Sequence, residues 1–336
     1  MRKPFATIIF TGFLLTFLIN ANYAFAIDDL DIGIFPPILE ITATPPASAQ
    51  SLISLQNQNE TPHNFQITVR PFKQSSQNNG QIEYPQNIDF QGPDPFLRQK
   101  IHFFDGENEI QTIRLEPLES KDIIMQIDLD KNSPLGDYYF SVIFVTEPEQ
   151  GENISNTKLP AGIATNVLLS IGPKGDTTGF IQNFKTPIFL EHGPVPFTVS
   201  IENTSDHFII PEGRINIKNI FGQPVAKLDL LPQYILSGSR RYLIDQNQAS
   251  ASAELLSTIQ SLKQSQPIVV WPEKLLLGVY TADLRISLGE KGPILKQTIV
   301  FFAFPVIPTL GISFLFMIIL GISLRVLHKF PKAKVK

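Results

Sequence analysis

Short runs in which apolar and polar residues alternate, each closed off by Pro, Asn or Gly, dominate residues 27–304 and restrict the fold more than any other feature. Ile53 and Leu55, then Phe65, Ile67 and Val69, then Ile123, Met125, Ile127 and Leu129 fall on one side of an extended chain, which is the period of a strand with one buried face. A helix would scatter them around its circumference. The 27 prolines and 26 phenylalanines fit strands joined by Pro-rich turns. The expected fold is all-β: two tandem immunoglobulin-like β-sandwich domains followed by one transmembrane helix.

The two-domain reading comes from a boundary and a repeat. Gly172-Pro173-Lys174-Gly175 and the polar residues up to Gly179 follow the apolar run Val167–Ile171. This predicts domain 1 over 27–171, a linker over 172–179 and domain 2 over 180–304, each folding independently. The linker lacks the Gly-Lys-Ser/Thr ending of a phosphate loop. Ser54-Leu55-Gln56-Asn57 matches Ser200-Ile201-Glu202-Asn203, each a strand running into an Asn-led turn. Glu119-Ser120-Lys121 answers Gly238-Ser239-Arg240, and Leu135-Gly136-Asp137-Tyr138 answers Leu277-Gly278-Val279-Tyr280. The order and spacing of these markers describe two copies of one sandwich. In Gly-x-Tyr the glycine supplies a permissive turn and the tyrosine hydroxyl can bond back to main chain at a sandwich corner.

Both ends carry long apolar segments. Arg2 and Lys3, the apolar run from Phe5 and Ala24-Phe25-Ala26 have the layout of a signal peptide over 1–26, with cleavage before Ile27. From Gln297 to Leu324 there is no charge; the first part is β-branched and aromatic, and Pro305 and Pro308 precede a helical pattern. A transmembrane helix over 305–324 and a basic cytoplasmic tail over 325–336 are therefore expected. The implied localisation is a single-pass cell-membrane protein with its N-terminal part outside. Seven of the 27 basic residues lie in these end segments, so 27–304 holds 20 against 31 acidic residues, about −11. That disfavours nucleic acid as a partner.

The chain contains no cysteine, which excludes disulfides, thiolate metal sites and a Cys nucleophile and, in an exported protein, is more typical of a bacterium. His63, His102, His192, His207 and His328 show no metal-ligand spacing, and Asp28, Asp29 and Asp31 precede no calcium loop. Ser155-Asn156-Thr157-Lys158 fits S-x-x-K without its companion motifs. The sequons at Asn59, Asn153 and Asn203 would matter only in a eukaryotic host. No catalytic, metal or cofactor site is expected.

Two insertions interrupt the minimal sandwich. Residues 73–100 form a polar, turn-rich stretch in which Tyr84, Phe90 and Phe96 are spaced; these aromatics are the candidate ligand-binding residues, the alternative being a flap over a sheet edge. Residues 250–264 place Leu255, Leu256, Ile259 and Leu262 at helical spacing. The strand from Tyr138 to Val145 is apolar almost throughout, so both its faces should be covered, the outer one by the insertion or by the second domain.

The ordered markers resemble the WxL-interacting cell-surface proteins of Gram-positive bacteria. The matching features are Pro36-Pro37, Asn79-Gly80-Gln81-Ile82-Glu83-Tyr84, Leu115-Glu116-Pro117 and Pro134-Leu135-Gly136 in the first half. In the second half they are Pro211-Glu212-Gly213-Arg214-Ile215, Ser239-Arg240-Arg241 and Gly278-Val279-Tyr280-Thr281-Ala282. The resemblance implies an N-terminal domain that binds peptidoglycan, a second that contacts another surface protein or a host ligand, and a membrane anchor. The expected function is non-enzymatic binding of a cell-wall glycan or a surface protein. The alternatives are a chaperone-like assembly module that accepts a partner β-strand, or a wall enzyme needing paired buried carboxylates.

Overall fold

The computed structural model describes residues 31–85, 95–146, 161–246, 266–289 and 292–329. The expected signal peptide over 1–26, the helical pattern over 250–264, the Ser155 to Lys158 motif and the end of the basic tail lie outside those residues. Two immunoglobulin-like sandwiches follow one another along the chain.

In the first, one sheet has the order β1 (Ile32–Phe35), β3 (Ala47–Asn57), β10 (Ser120–Leu129), β7 (Ile101–Asp105), β8 (Asn108–Glu109). The other has β2 (Ile38–Ala43), β12 (Gly162–Ile171), β11 (Gly136–Thr146), β4 (His63–Pro71), β9 (Thr112–Leu115). The second sandwich repeats the plan. One sheet centres on β15 (Val195–Asn203), flanked by β13 (Gly179–Lys185) on one side and by β18 (Arg240–Tyr242) and β19 (Val269–Trp271) on the other. Its partner sheet runs β14 (Phe189–Leu190), β21 (Ile294–Ala303), β20 (Gly278–Ser287), β16 (Glu212–Asn219), β17 (Pro224–Asp229).

Each sandwich opens with a strand that changes sheets. β1 lies antiparallel to β3 and β2 parallel to β12; β13 lies antiparallel to β15 and β14 parallel to β21. Pro36 and Pro37 sit at the first crossing and Pro187 at the second. Proline has no N–H for the ladder, so pairing with the first sheet stops there and the chain is released to the second.

The alternating residues form the cores. Ile53, Leu55, Phe65, Ile123, Met125 and Ile127 are fully buried between the first pair of sheets, with Phe140 and Phe144 from the central strand β11. The second core is built round an aromatic chain: Trp271 meets Tyr280 edge-on at 5.5 Å, Tyr280 stacks on Phe301 at 5.4 Å, and Phe301 meets Phe197 edge-on at 5.9 Å. Such geometries add to the burial itself.

The repeat markers occupy equivalent corners. Asn57 and Asn203 end β3 and β15 and are wholly buried. The Asn57 N–H donates to the Glu119 carbonyl and the Asn203 N–H to the Ser239 carbonyl. Gly136 and Gly278 have φ of 137° and 112°, a region open to glycine. The hydroxyl of Tyr138 donates to the Pro134 carbonyl at 2.9 Å, and that of Tyr280 donates to the Leu277 carbonyl while accepting the Leu277 N–H at 3.1 Å. Burial of Asn203 also closes its sequon to modification.

Two helices are described, α1 (Pro95–Arg98) and α2 (Val306–Lys329). The transmembrane helix expected over 305–324 is corrected: among the described residues, no helix is long and apolar enough to cross a membrane. The single-pass localisation and the membrane contact through this helix fall with that expectation. The β-branched and aromatic part of the uncharged run, before Pro305, lies in β21, which pairs with β20 along its whole length.

Candidate functional site

A third apolar cluster joins the sandwiches. Leu168 and Phe72 from the first and Phe208 and Leu236 from the second are buried together, with Ile82, Tyr84, Tyr139, Ile210 and Tyr234 packed against them. Strand alternation places Tyr139 on the outer face of β11 while Tyr138 and Phe140 point into the core. The outer face of that strand is thus covered both by the insertion and by the second domain.

Asp137 organises the polar part of the joint. One carboxylate oxygen accepts the Phe208 N–H at 2.7 Å and the Tyr139 hydroxyl at 2.9 Å; the other accepts the Ser170 hydroxyl at 2.7 Å. The Tyr139 oxygen in turn accepts the Ser237 N–H at 3.2 Å. Burial, more than any other influence, pushes the Tyr139 hydroxyl above the ordinary tyrosine range, so it serves here as a neutral donor and acceptor. Tyr234 donates to the Glu40 carboxylate, and burial followed by that bond pushes it up to about 12. The Lys174 ammonium lies 3.9 Å from the centre of the Phe208 ring.

The first part of the insertion forms a small hairpin, β5 (Lys73–Gln74) with β6 (Ile82–Glu83), that reaches the second domain. The Gln74 amide donates to the Arg240 carbonyl, and the Tyr242 N–H donates to the Asn78 carbonyl at 2.9 Å. Gly80 has φ 88°, and a Cβ there would run into the Arg241 guanidinium. Arg241 donates to the Tyr234 carbonyl at 2.8 Å, its Nε has no partner, and burial lowers its pKa. Beside the hairpin lies a polar cavity of about 260 Å³ bounded by Ser75, Asn78, Gly238 and Arg240, with the Arg240 guanidinium held at 2.7 Å by Glu202.

Among the candidate residues, Tyr84 belongs to this joint. Its hydroxyl donates to Ser141 at 3.0 Å, and the Arg70 guanidinium lies 5.1 Å from its ring centre. Phe90 lies outside the described residues; Phe96 falls in α1, with no side chain described. The three aromatics are therefore not seen to converge. Among the described residues no three His, Asp or Glu side chains are grouped to hold a metal, and Asp245 is the buried carboxylate in the described set. Tyr84→Ala is expected to lower stability by about 1–2 kcal/mol and Tyr84→Phe by about 1 kcal/mol, since the first loses ring, cation contact and hydroxyl and the second the hydroxyl alone. Thermal melting checks this; unchanged midpoints in both would return the ring to ligand contact.

Large exposed apolar residues gather at one end of the second sandwich. In register, Phe189 lies beside Phe302 and Phe302 beside Val279. Val300 and Phe304 share the outer face of β21 with Phe302, Leu277 precedes β20, and Phe221 tips the turn between β16 and β17, where Asn219 pairs with Tyr280. All six of Phe189, Phe221, Leu277, Val300, Phe302 and Phe304 are exposed. Lys218, level with Val300 across Thr281, and Asp283, level with Thr298, border the patch: the Lys218 ammonium donates to Asp283 at 2.8 Å, the Thr298 hydroxyl donates to Asp283 at 2.7 Å, and the Lys218 bond chiefly holds the Asp283 carboxyl below its usual range.

No family model matches the chain. No curated protein matches it either. Solved structures that resemble it include the class 5 fimbriae chaperone CfaA, with TM-score 0.38, 11% identity, and 82% of this chain and 100% of that one covered. The Escherichia coli chaperone DraB matches with TM-score 0.36, 10% identity and coverage of 80% and 96%. A Salmonella enterica complex of SafA pilin with the SafB chaperone matches with TM-score 0.33, 11% identity and coverage of 80% and 97%. At so low an identity and score the likeness assigns neither partner nor activity to this chain.

The apolar end was not read as a surface from the sequence. Its signal lay in Ile299-Val300-Phe301-Phe302-Ala303-Phe304, where alternation gives way to a continuous apolar run. Such a run marks a strand with two apolar faces, and only one of them faces the core.

Proposed function

We propose that this chain is a non-enzymatic binding module that holds a surface protein partner, in an assembly or chaperone-like role, through the apolar end of its second sandwich. The observation that carries the reading is the outer face of β21 with its neighbours: six exposed apolar side chains and no ionisable group among them. Apolar patches rimmed by polar residues suit protein contact. A glycan would call for polar groups interleaved with free aromatic faces, and Tyr84, whose hydroxyl and ring are engaged at the joint, is not free for it.

The partner is held by side chains on a sheet face more than by extension of a ladder. Outer strands are short or interrupted: β17 begins at Pro224, β13 carries an irregularity between Ile181 and Asn183, and β18 and β19 cover separate parts of β15. Prolines and bulges blunt an edge against pairing.

Sedimentation with insoluble bacterial cell walls tests the reading. The full chain is expected to sediment with walls carrying their proteins and to lose at least about tenfold in apparent affinity, ~1.4 kcal/mol, once proteases have stripped them. Val300→Lys should weaken binding to the native walls similarly. Undiminished sedimentation with protein-free polymer would replace this reading with peptidoglycan binding, as the resemblance to WxL-interacting proteins implies.

A further inference from the structure

We propose that the apolar end of the second sandwich seats a second copy of this chain, in a two-fold contact. The inference rests on reading that end as a protein-docking surface and names its occupant.

Three observations favour a second copy. The first is extent. Exposure across the six residues runs from 44% at Phe304 to 83% at Phe221, and Ile188, Ile220 and Leu275 at the rim are at least two-thirds exposed. Taking about 150–250 Å² for an aromatic side chain and somewhat less for an aliphatic one, the end leaves roughly 1,000 Å² of apolar surface uncovered. The largest patch on a typical monomer is about 300–600 Å², whereas a stable interface takes roughly 800 Å² from each partner.

The second observation is self-complementarity. A two-fold contact sets the same patch against itself, so a charge near the axis would meet its own like. None of the nine residues ionises; the charges at the rim are Lys218 and Asp283, already paired with each other, and exposed Glu191, Glu273 and Lys274, the Glu273 carboxylate being bonded to the Leu275 N–H at 3.3 Å. A patch whose apolar residues carry no charge meets that condition when the axis runs near Phe302 and leaves the charged rim outside.

The third is continuity with α2, which begins at Val306, two residues beyond Phe304. Leu310, Phe314, Ile318 and Ile322 along it are exposed, and apolar residues also occupy its other described faces. A helix apolar on every side is stable where something covers it. A second copy docked at this end lies next to the start of α2 and is placed to cover part of it.

The absence of cysteine makes the test direct. A single cysteine in the full chain, Phe302→Cys, is expected to form a disulfide-linked dimer under mild oxidation at micromolar concentration. Glu107→Cys, on the exposed turn between β7 and β8 of the first sandwich, should remain monomeric. Sedimentation equilibrium should find the cysteine-free chain dimeric, and Val300→Lys with Phe189→Lys should weaken self-association by about a hundredfold with melting unchanged. A monomeric wild-type chain overturns the proposal, as do dimers that survive both lysines or cross-link equally through Glu107→Cys. If the lysine variant does not fold, the two cysteine variants alone decide. A monomer whose sedimentation with native walls still depends on Val300 sinks the second copy and leaves the protein-partner reading standing. A dimer with no affinity for native walls does the reverse.

Discussion

Asn203→Ala is expected to destabilise the second sandwich by about 3–4 kcal/mol, among the largest effects of any single substitution outside the aromatic core. Asn203 is fully buried, and its amide donates to the carbonyls of His207 at 2.8 Å, Ile235 at 3.0 Å and Leu236 at 3.1 Å, while its oxygen accepts the Ser205 N–H at 2.9 Å. Removing the side chain takes the partner from the His207 carbonyl and the Ser205 N–H in a site closed to water, while the Ile235 and Leu236 carbonyls keep the N–H groups of Ile209 and Ser239. Each unmet group costs more than a formed bond contributes, because it keeps its desolvation penalty. Asn203→Asp should be at least as damaging, since its acceptor-only carboxylate would face three carbonyls. Urea unfolding of the full chain, followed by Trp271 fluorescence, measures it; a loss below about 1 kcal/mol would mean that water enters the corner and takes over the bonds. Asn57, which bonds the carbonyls of Thr61 and Glu116 and the Asn59 N–H, should show a comparable loss in the first sandwich.

Asp137→Ala is expected to loosen the two sandwiches from each other. Its carboxylate gathers the Phe208 N–H, the Tyr139 hydroxyl and the Ser170 hydroxyl, and hydrogen bonds to a charged group contribute about 1.5–3 kcal/mol each. The expected result is a joint weaker by about 3 kcal/mol and urea unfolding that separates into two transitions. Small-angle scattering should show a larger radius of gyration before either transition. Asp137→Asn, which keeps an acceptor but not the charge, should fall between. A single unshifted transition in the alanine variant would assign the joint to the apolar cluster of Phe72, Leu168, Phe208 and Leu236 alone. The Gly-rich boundary over 172–179 suggests two independent units; this joint couples them, and the variant measures how strongly.

Much of the sandwich architecture was legible because it is governed by local rules. Period two marks which side chains share a face, and Ile53, Leu55, Ile123, Met125 and Ile127 are buried accordingly. Gly136 and Gly278 signal turns that need positive φ, and the tyrosines two residues on return their hydroxyls to nearby main chain. The Asn-led turns recur because the same corner must be closed in both copies. Residues 73–100 were ambiguous for the opposite reason: loop aromatics have no period, so Tyr84 could be read as readily toward a ligand as toward the protein.

The sequence by itself determined the strands, their inward faces, the corner chemistry and the duplication, since each depends on residues close in the chain or on a regular alternation. Only the tertiary structure decided what covers the outer faces. Leu168 is buried and Tyr139 half-buried because loops from the second domain, about 40–100 positions further on, arrive on the outside of β11 and β12. Phe302, with the same character and the same alternation, remains exposed because no described segment reaches it. Hydrophobicity states that a surface is better covered, and the path of the chain in space selects the surfaces that are.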